Sequence, residues 1–135
     1  MKSEEYIFYQ GEKFQVEFYF NEKGDLPAKE YFDNTDRLVR IKLLALVKFM
    51  AEEGRLFDEG KFRIVDKHEK IYEFKPMAER FFNFFFEGRK IILTNAYRKK
   101  GQKVDDRELA RAVNLKKDYE LRVKGGAYYE SENLR

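Results

Sequence analysis

Apolar positions along the chain follow two periods, and the switch between them marks the elements. Glu5 to Phe20, EYIFYQGEKFQVEFYF, alternates around a break at Gln10-Gly11-Glu12. It reads as a hairpin, or as an extended segment followed by one strand over Phe14 to Phe20. Asn21 to Asp25 is a loop, and Pro27 suits the first turn of a short helix over Ala28 to Asp33. A helical period then takes over. Leu38, Ile41, Leu44, Ala45, Val47 and Phe49 make a wide apolar surface among Arg37, Arg40, Lys42 and Lys48. This helix runs from about Thr35 or Asp36 to Glu53, with Asn34 or Thr35 to cap its first amides and Gly54 to close it. With strands on both sides, it is expected to pack on a sheet and not to lie on a membrane.

Residues 55–69 read as a loop with a short strand at Phe62 to Val65, and the lone His68 is expected to be exposed there. Lys70 to Lys75, KIYEFK, is a strand stopped by Pro76. The aromatic run Arg80 to Phe86 turns at Glu87-Gly88 and returns as Lys90 to Tyr97, a hairpin with a two-residue turn. Residues 86 and 89 flanking the turn would pair Phe84 with Ile91, Phe82 with Leu93 and Arg80 with Asn95. Arg80, Phe82, Phe84 and Phe86 would then share a face with Ile91, Leu93, Asn95 and Tyr97. Asp105 or Asp106 caps a last helix, DDRELARAVNLKKDYELR, whose Leu109, Ala112, Val113 and Lys116 form one stripe. The expected fold is α+β: about four antiparallel strands, two helices from the N-terminal half packed on them and a C-terminal helix, with the helices on one face. Residues 1–123 form a single domain and 124–135 a flexible tail.

Composition narrows the chemistry. The 135 residues suffice for one core, and no run approaches the ~20 apolar residues of a membrane span. The N-terminus MKSEEYIFYQ lacks the order of a signal peptide, and there is no cysteine, so a cytoplasmic location without disulfides or thiolate metal sites is expected. Net charge is only +3, but Gly88 to Val104 holds six Lys or Arg and no acid. Such a local patch is either a solvated face or a place to hold a phosphodiester. Tyr97, beside it, is the aromatic expected either to touch a ligand or simply to pack. The Phe run itself is core, because a strand apolar on both faces is usually covered on both. Phosphate-binding glycine loops, nucleophile elbows and dinucleotide fingerprints are absent.

YEFK, then ERFFNFFFEGRKIILTNAYRKKGQK, then a DDRELARA helix together resemble the phage-derived branch of the RelE/HigB toxin superfamily. The likeness spans roughly residues 14 to 120 and includes the Pro27 helix and the helix ending in Ala51-Glu52-Glu53-Gly54. It implies a RelE-like domain acting as the toxin of a type II toxin–antitoxin pair. Such a toxin is an endoribonuclease that cuts messenger RNA at the ribosome, without metal or cofactor, and is neutralised by a helix-turn-helix antitoxin. Carried over by position, Arg80 falls on the phosphate-contacting arginine and Lys75 on the basic residue ending the preceding strand. Lys99, Lys100 and Lys103 fall on the lysines after the last strand. The catalytic set is then Arg80 and Lys99 as charge stabilisers, Lys75 as proton acceptor if neighbouring cations lower its pKa, and Tyr97. Arg98, Lys100, Lys103 and Asn95 are expected to bind RNA. Asn95 stands where many relatives have His, so proton transfer passes to Tyr97 or a lysine. A catalytically weak or inactive RNA- or protein-binding module of the same fold is the alternative.

Overall fold

The computed structural model describes residues 5–129. The elements in chain order are β1 (Ile7–Gln10), β2 (Gln15–Phe18), α1 (Pro27–Asp33), α2 (Arg37–Glu53), β3 (Phe62–Asp66), β4 (Ile71–Phe74), β5 (Glu79–Phe86), β6 (Lys90–Arg98) and α3 (Asp106–Lys124). The expected α+β class holds, but the sheet has six strands where about four were expected, in the order β1-β2-β6-β5-β4-β3. It is also mixed: β2 runs parallel to β6, pairing Gln15 with Lys90 through Phe18 with Leu93, while every other neighbour is antiparallel. No helix among the described residues is long and apolar enough to cross a membrane.

Helices cover both faces of the sheet, not one. Tyr31 and Phe32 of α1 pack on Phe81, and α2 follows after only three linking residues on the same side. Tyr119 of α3 packs on Phe84 and Phe86, whose side chains point the other way. The cause lies in β6, where Ile91, Ile92 and Leu93 are all fully buried, so neither face can be left to water. α3 is capped as expected, with Asp105 Oδ1 accepting from the Arg107 and Glu108 amides. α2 closes on Gly54 at φ 82°, but its N-cap is Asp36, and no side chain caps its amides. His68 is exposed in the β3–β4 turn, as expected.

The β5–β6 register differs from the expected one. The turn has three residues, Glu87-Gly88-Arg89, so Phe86 pairs with Lys90, Phe85 with Ile91, Phe84 with Ile92 and Asn83 with Leu93. A bulge then sets Phe82 opposite both Thr94 and Asn95, and the ladder resumes with Phe81 on Ala96, Arg80 on Tyr97 and Glu79 on Arg98.

Residues 17–20 meet the C-terminal half of α3 and Tyr128 and Tyr129 on the α3 face. Tyr19 donates to Asp118 at 2.5 Å, Tyr128 accepts the Phe20 amide at 2.9 Å, and Arg122 donates to the Phe20 carbonyl at 2.7 Å. Tyr129 donates to the fully buried Glu17 at 2.6 Å. Within the segment 124–135, expected to be flexible, Tyr128 and Tyr129 are therefore packed; residues 130–135 lie outside the described residues.

The N-terminal hairpin is pinned to the end of α2. The Ala51 carbonyl accepts from the Lys13 and Phe14 amides, and Glu52 accepts from the Tyr9 hydroxyl at 2.6 Å and the Glu12 amide at 3.3 Å. Gly11 passes so close that an added Cβ would lie 2.5 Å from Ala51 Cβ and 2.6 Å from its carbonyl oxygen. Both obstacles belong to a buried helical residue, so neither gives way. Gly11→Ala is expected to destabilise by about 1–3 kcal/mol in urea unfolding, with β1 losing amide-exchange protection first.

Candidate functional site

Strand alternation brings a group of charged side chains to the α3 face, beyond the reach of α3 itself. Arg63 on β3 pairs with Glu73 on β4, and Glu73 pairs with Phe82 on β5. Lys75 follows Glu73 by two residues and Arg80 precedes Phe82 by two, so all four side chains share that face. Tyr97 joins them as the cross-strand partner of Arg80. Lys99 arrives from the segment after β6, where its amide bonds the Ala78 carbonyl.

The electrostatics show that these groups sense one another. Lys75 is pushed below its ordinary pKa, first by partial burial and then by Arg63, Arg80 and Lys99, with only Glu73 opposing. Glu73 is fully buried; its Oε2 accepts from Arg63 Nε at 2.7 Å, and its Oε1 has no hydrogen-bond partner among the described residues. Arg80 donates through Nη1 to the carbonyls of Met77 and Glu79, both at 2.8 Å, and its buried Nε is likewise unpartnered. Lys75 Nζ donates to the Glu59 carbonyl at 2.9 Å. Burial raises the Tyr97 phenol above its usual pKa. Its oxygen accepts the Asp105 amide at 3.2 Å, which leaves the hydroxyl proton available for donation.

Of the eight residues expected at the site, the structure gathers four here: Lys75, Arg80, Tyr97 and Lys99. Arg98 points to the opposite face, where its Nη1 and the Tyr31 hydroxyl share the Glu79 carboxylate at 2.8 and 2.5 Å. With Lys100 and Lys103 it lines an adjoining cleft of about 600 Å³ between α1 and the start of α3, bounded also by Tyr31, Tyr97, Asp105 and Glu108. Asn95 is fully buried, its Nδ2 donating to the Glu108 carbonyl and Oε1. It offers no atom to solvent, because the bulge turns it under the first turn of α3.

Residues 30–117 match the family described as phage-derived protein Gp49-like (DUF891). The chain belongs to this family. It is a family of RelE/HigB-like toxins, and the matched span runs from α1 into α3 and contains every residue of the charged cluster. No curated protein matches the chain.

Two members of the cluster in this Gp49-like chain, Arg63 and Glu73, are not among the residues that the sequence singles out. The available signal was one charged residue flanked by apolar or aromatic neighbours in each of two strands, Arg63 in FRIVD and Glu73 in IYEF. Glu73 pairs with Arg63 and favours the charged form of Lys75, against the effect of Arg63, Arg80 and Lys99 on that lysine. Glu73→Gln removes that charge at nearly constant shape, so the Lys75 pKa falls further. Any pH-dependent activity that rises as Lys75 loses its proton should have its ascending limb moved to lower pH. An unmoved limb in Glu73→Gln would separate Lys75 from that step.

Proposed function

We propose that this chain is the toxin component of a type II toxin–antitoxin pair, an endoribonuclease that cuts messenger RNA at the ribosome without metal or cofactor. The observation that carries this reading is the convergence of Lys75, Arg80 and Lys99 from three separate segments on one partly buried face, close enough that two of them depress the pKa of the third.

The reaction this arrangement suits is attack of a ribose 2′-oxygen on its own 3′-phosphorus. The new P–O2′ bond forms as the P–O5′ bond breaks, leaving a 2′,3′-cyclic phosphate and a 5′-hydroxyl. Negative charge builds on the phosphoryl oxygens in the transition state, and Arg80 and Lys99 offset it in surroundings drier than water. The neutral fraction of Lys75, enlarged by its depressed pKa, accepts the 2′ proton. Tyr97, protonated at neutral pH, donates to the leaving 5′-oxygen. Arg98, Lys100 and Lys103 line the adjoining cleft and would hold flanking phosphates. The partner expected to silence the toxin is a helix-turn-helix antitoxin.

The test is induced expression of the chain alone, followed by mapping of messenger RNA ends. Cuts bearing 2′,3′-cyclic phosphate ends, made equally well in chelator by purified protein on translating ribosomes, support the reading. Cleavage that disappears in chelator overturns the metal-independent mechanism. RNA binding without any cut ends favours the catalytically weak or inactive module, a reading supported by Asn95 standing where many relatives have an imidazole.

A further inference from the structure

Among the described residues outside the charged cluster, α2 presents an apolar surface with nothing packed on it. Its buried side is complete: Val39, Leu43, Val47, Met50 and Ala51 anchor it and fix its rotation. Its outer side is apolar as well. Leu38, Ile41, Ala45 and Phe49 follow at spacings of three and four, so they form one stripe along the helix. Leu38, Ile41 and Phe49 are each about half exposed, and Leu44 flanks them at 43%. Beside the stripe, a groove of about 340 Å³ separates Lys42, Ala45 and Leu46 from Lys61, Lys75, Pro76 and Met77. Met77 is half exposed on the far bank.

Between its ends the helix bears charge of one sign, with exposed acids only at its N-cap, Asp36, and in its last turn, Glu53. From Arg37 to Met50 the helix carries four cations, Arg37, Arg40, Lys42 and Lys48, and no acid. Arg37, Lys42 and Lys48 are exposed. Lys61 on the opposite bank has only a loose, exposed contact to Asp58 at 3.9 Å. Apolar residues at helical spacing, bordered by lysines on both banks, complement a segment with an apolar stripe and acidic shoulders.

We propose that the outer face of α2 and its groove dock an acidic amphipathic helix of a partner protein. A second copy of this chain fits poorly, because a two-fold contact through this face would set the same cations against one another. Nucleic acid would leave the leucine, isoleucine and phenylalanine side chains without use. A flat bilayer would not follow the depression between α2 and the 75–77 segment. This docking is separate from the ribonuclease reading: of the residues lining the groove only Lys75 belongs to the charged cluster, and its proton chemistry is not used.

The test uses the full chain and two synthetic 18-residue peptides that share leucines at helical spacing, one with glutamates on its polar face and one with lysines. The glutamate peptide is expected to bind with micromolar affinity and shift the amide resonances of α2 and of residues 75–77. Ile41→Glu, an exposed change that leaves the fold intact, should weaken it at least tenfold. The pair Lys42→Glu and Lys48→Glu should reverse the preference toward the lysine peptide. Absent or equal binding of the two peptides, or shifts confined to another face, would overturn the proposal. So would a dimer that Ile41→Glu converts to monomer, or wild-type binding to phosphatidylglycerol vesicles that Ile41→Glu abolishes.

Discussion

Arg80→Ala is expected to lower messenger RNA cleavage by at least about a hundredfold, the usual effect of removing one preorganised donor from a developing phosphoryl charge. The same change relieves Lys75 of one of the cations that depress its pKa, so residual activity should rise at higher pH than in the wild type. Arg80 also holds two backbone carbonyls, of Met77 and Glu79, and losing bonds worth about 1 kcal/mol each lowers the melting temperature by several degrees without unfolding the chain at assay temperature. Arg80→Lys keeps a charge but not the two-carbonyl anchorage, and is expected to recover only part of the rate. Single-turnover cleavage at several pH values separates these effects. If Arg80→Ala cuts normally and merely binds RNA with a shallower salt dependence, the arginine holds RNA and takes no part in cleavage.

Glu17→Ala is expected to be the most damaging single change to the fold, at about 3–5 kcal/mol, because it empties the centre of a buried polar network. The Glu17 carboxylate is fully buried and accepts from Tyr129 at 2.6 Å and from Gln15 at 2.7 Å, with Lys90 Nζ 3.5 Å away. That ammonium also sits 3.9 Å from the centre of the Tyr129 ring, and the Tyr129 hydroxyl lies 2.7 Å from that of Tyr119. Burial first, and then Glu17 itself, push the Tyr129 phenol far above its usual pKa, so the phenol–carboxylate bond persists throughout the neutral range. Alanine leaves three donors facing an apolar gap. Glu17→Gln, which keeps an acceptor for Tyr129, should recover a good part of the loss. Urea midpoints measure both, and a loss under 1 kcal/mol for Glu17→Ala would show that the network relaxes or admits water.

The β5–β6 hairpin shows where local sequence is sufficient and where it is not. Its strands, and the cations at its open end, follow from alternation and from a single glycine. One glycine does not distinguish a two-residue turn from a three-residue one, and the latter is realised with both Gly88 and Arg89 at positive φ. That slip moves Ile91 and Leu93 to the opposite face from Phe82, Phe84 and Phe86. The bulge at Thr94 and Asn95 then adds a second one-residue slip, which restores the parity. Arg80 and Tyr97 therefore share a face as expected, through a pairing that was not. Asn95 is the residue that the bulge carries under α3. The parallel β2–β6 pairing depends on contacts remote in sequence, which no local pattern encodes. Glu52, without a local reason at a helix C-terminus, finds one in Tyr9 and Glu12, 43 and 40 residues away.

The contacts of Glu17 and Phe20 with Tyr129 and Tyr128 bear on where this molecule can be cut. The family match covers residues 30–117, yet β1, β2 and about the last two turns of α3 with Tyr128 and Tyr129 lie beyond it. A fragment trimmed to the matched span would lose the strand that shields Lys90 to Leu93, turning a central strand into a bare apolar edge that invites stacking with its copies. The span that kinship delineates is thus smaller than the unit that folds, and the hairpin and C-terminal aromatics must travel with it in any recombinant version.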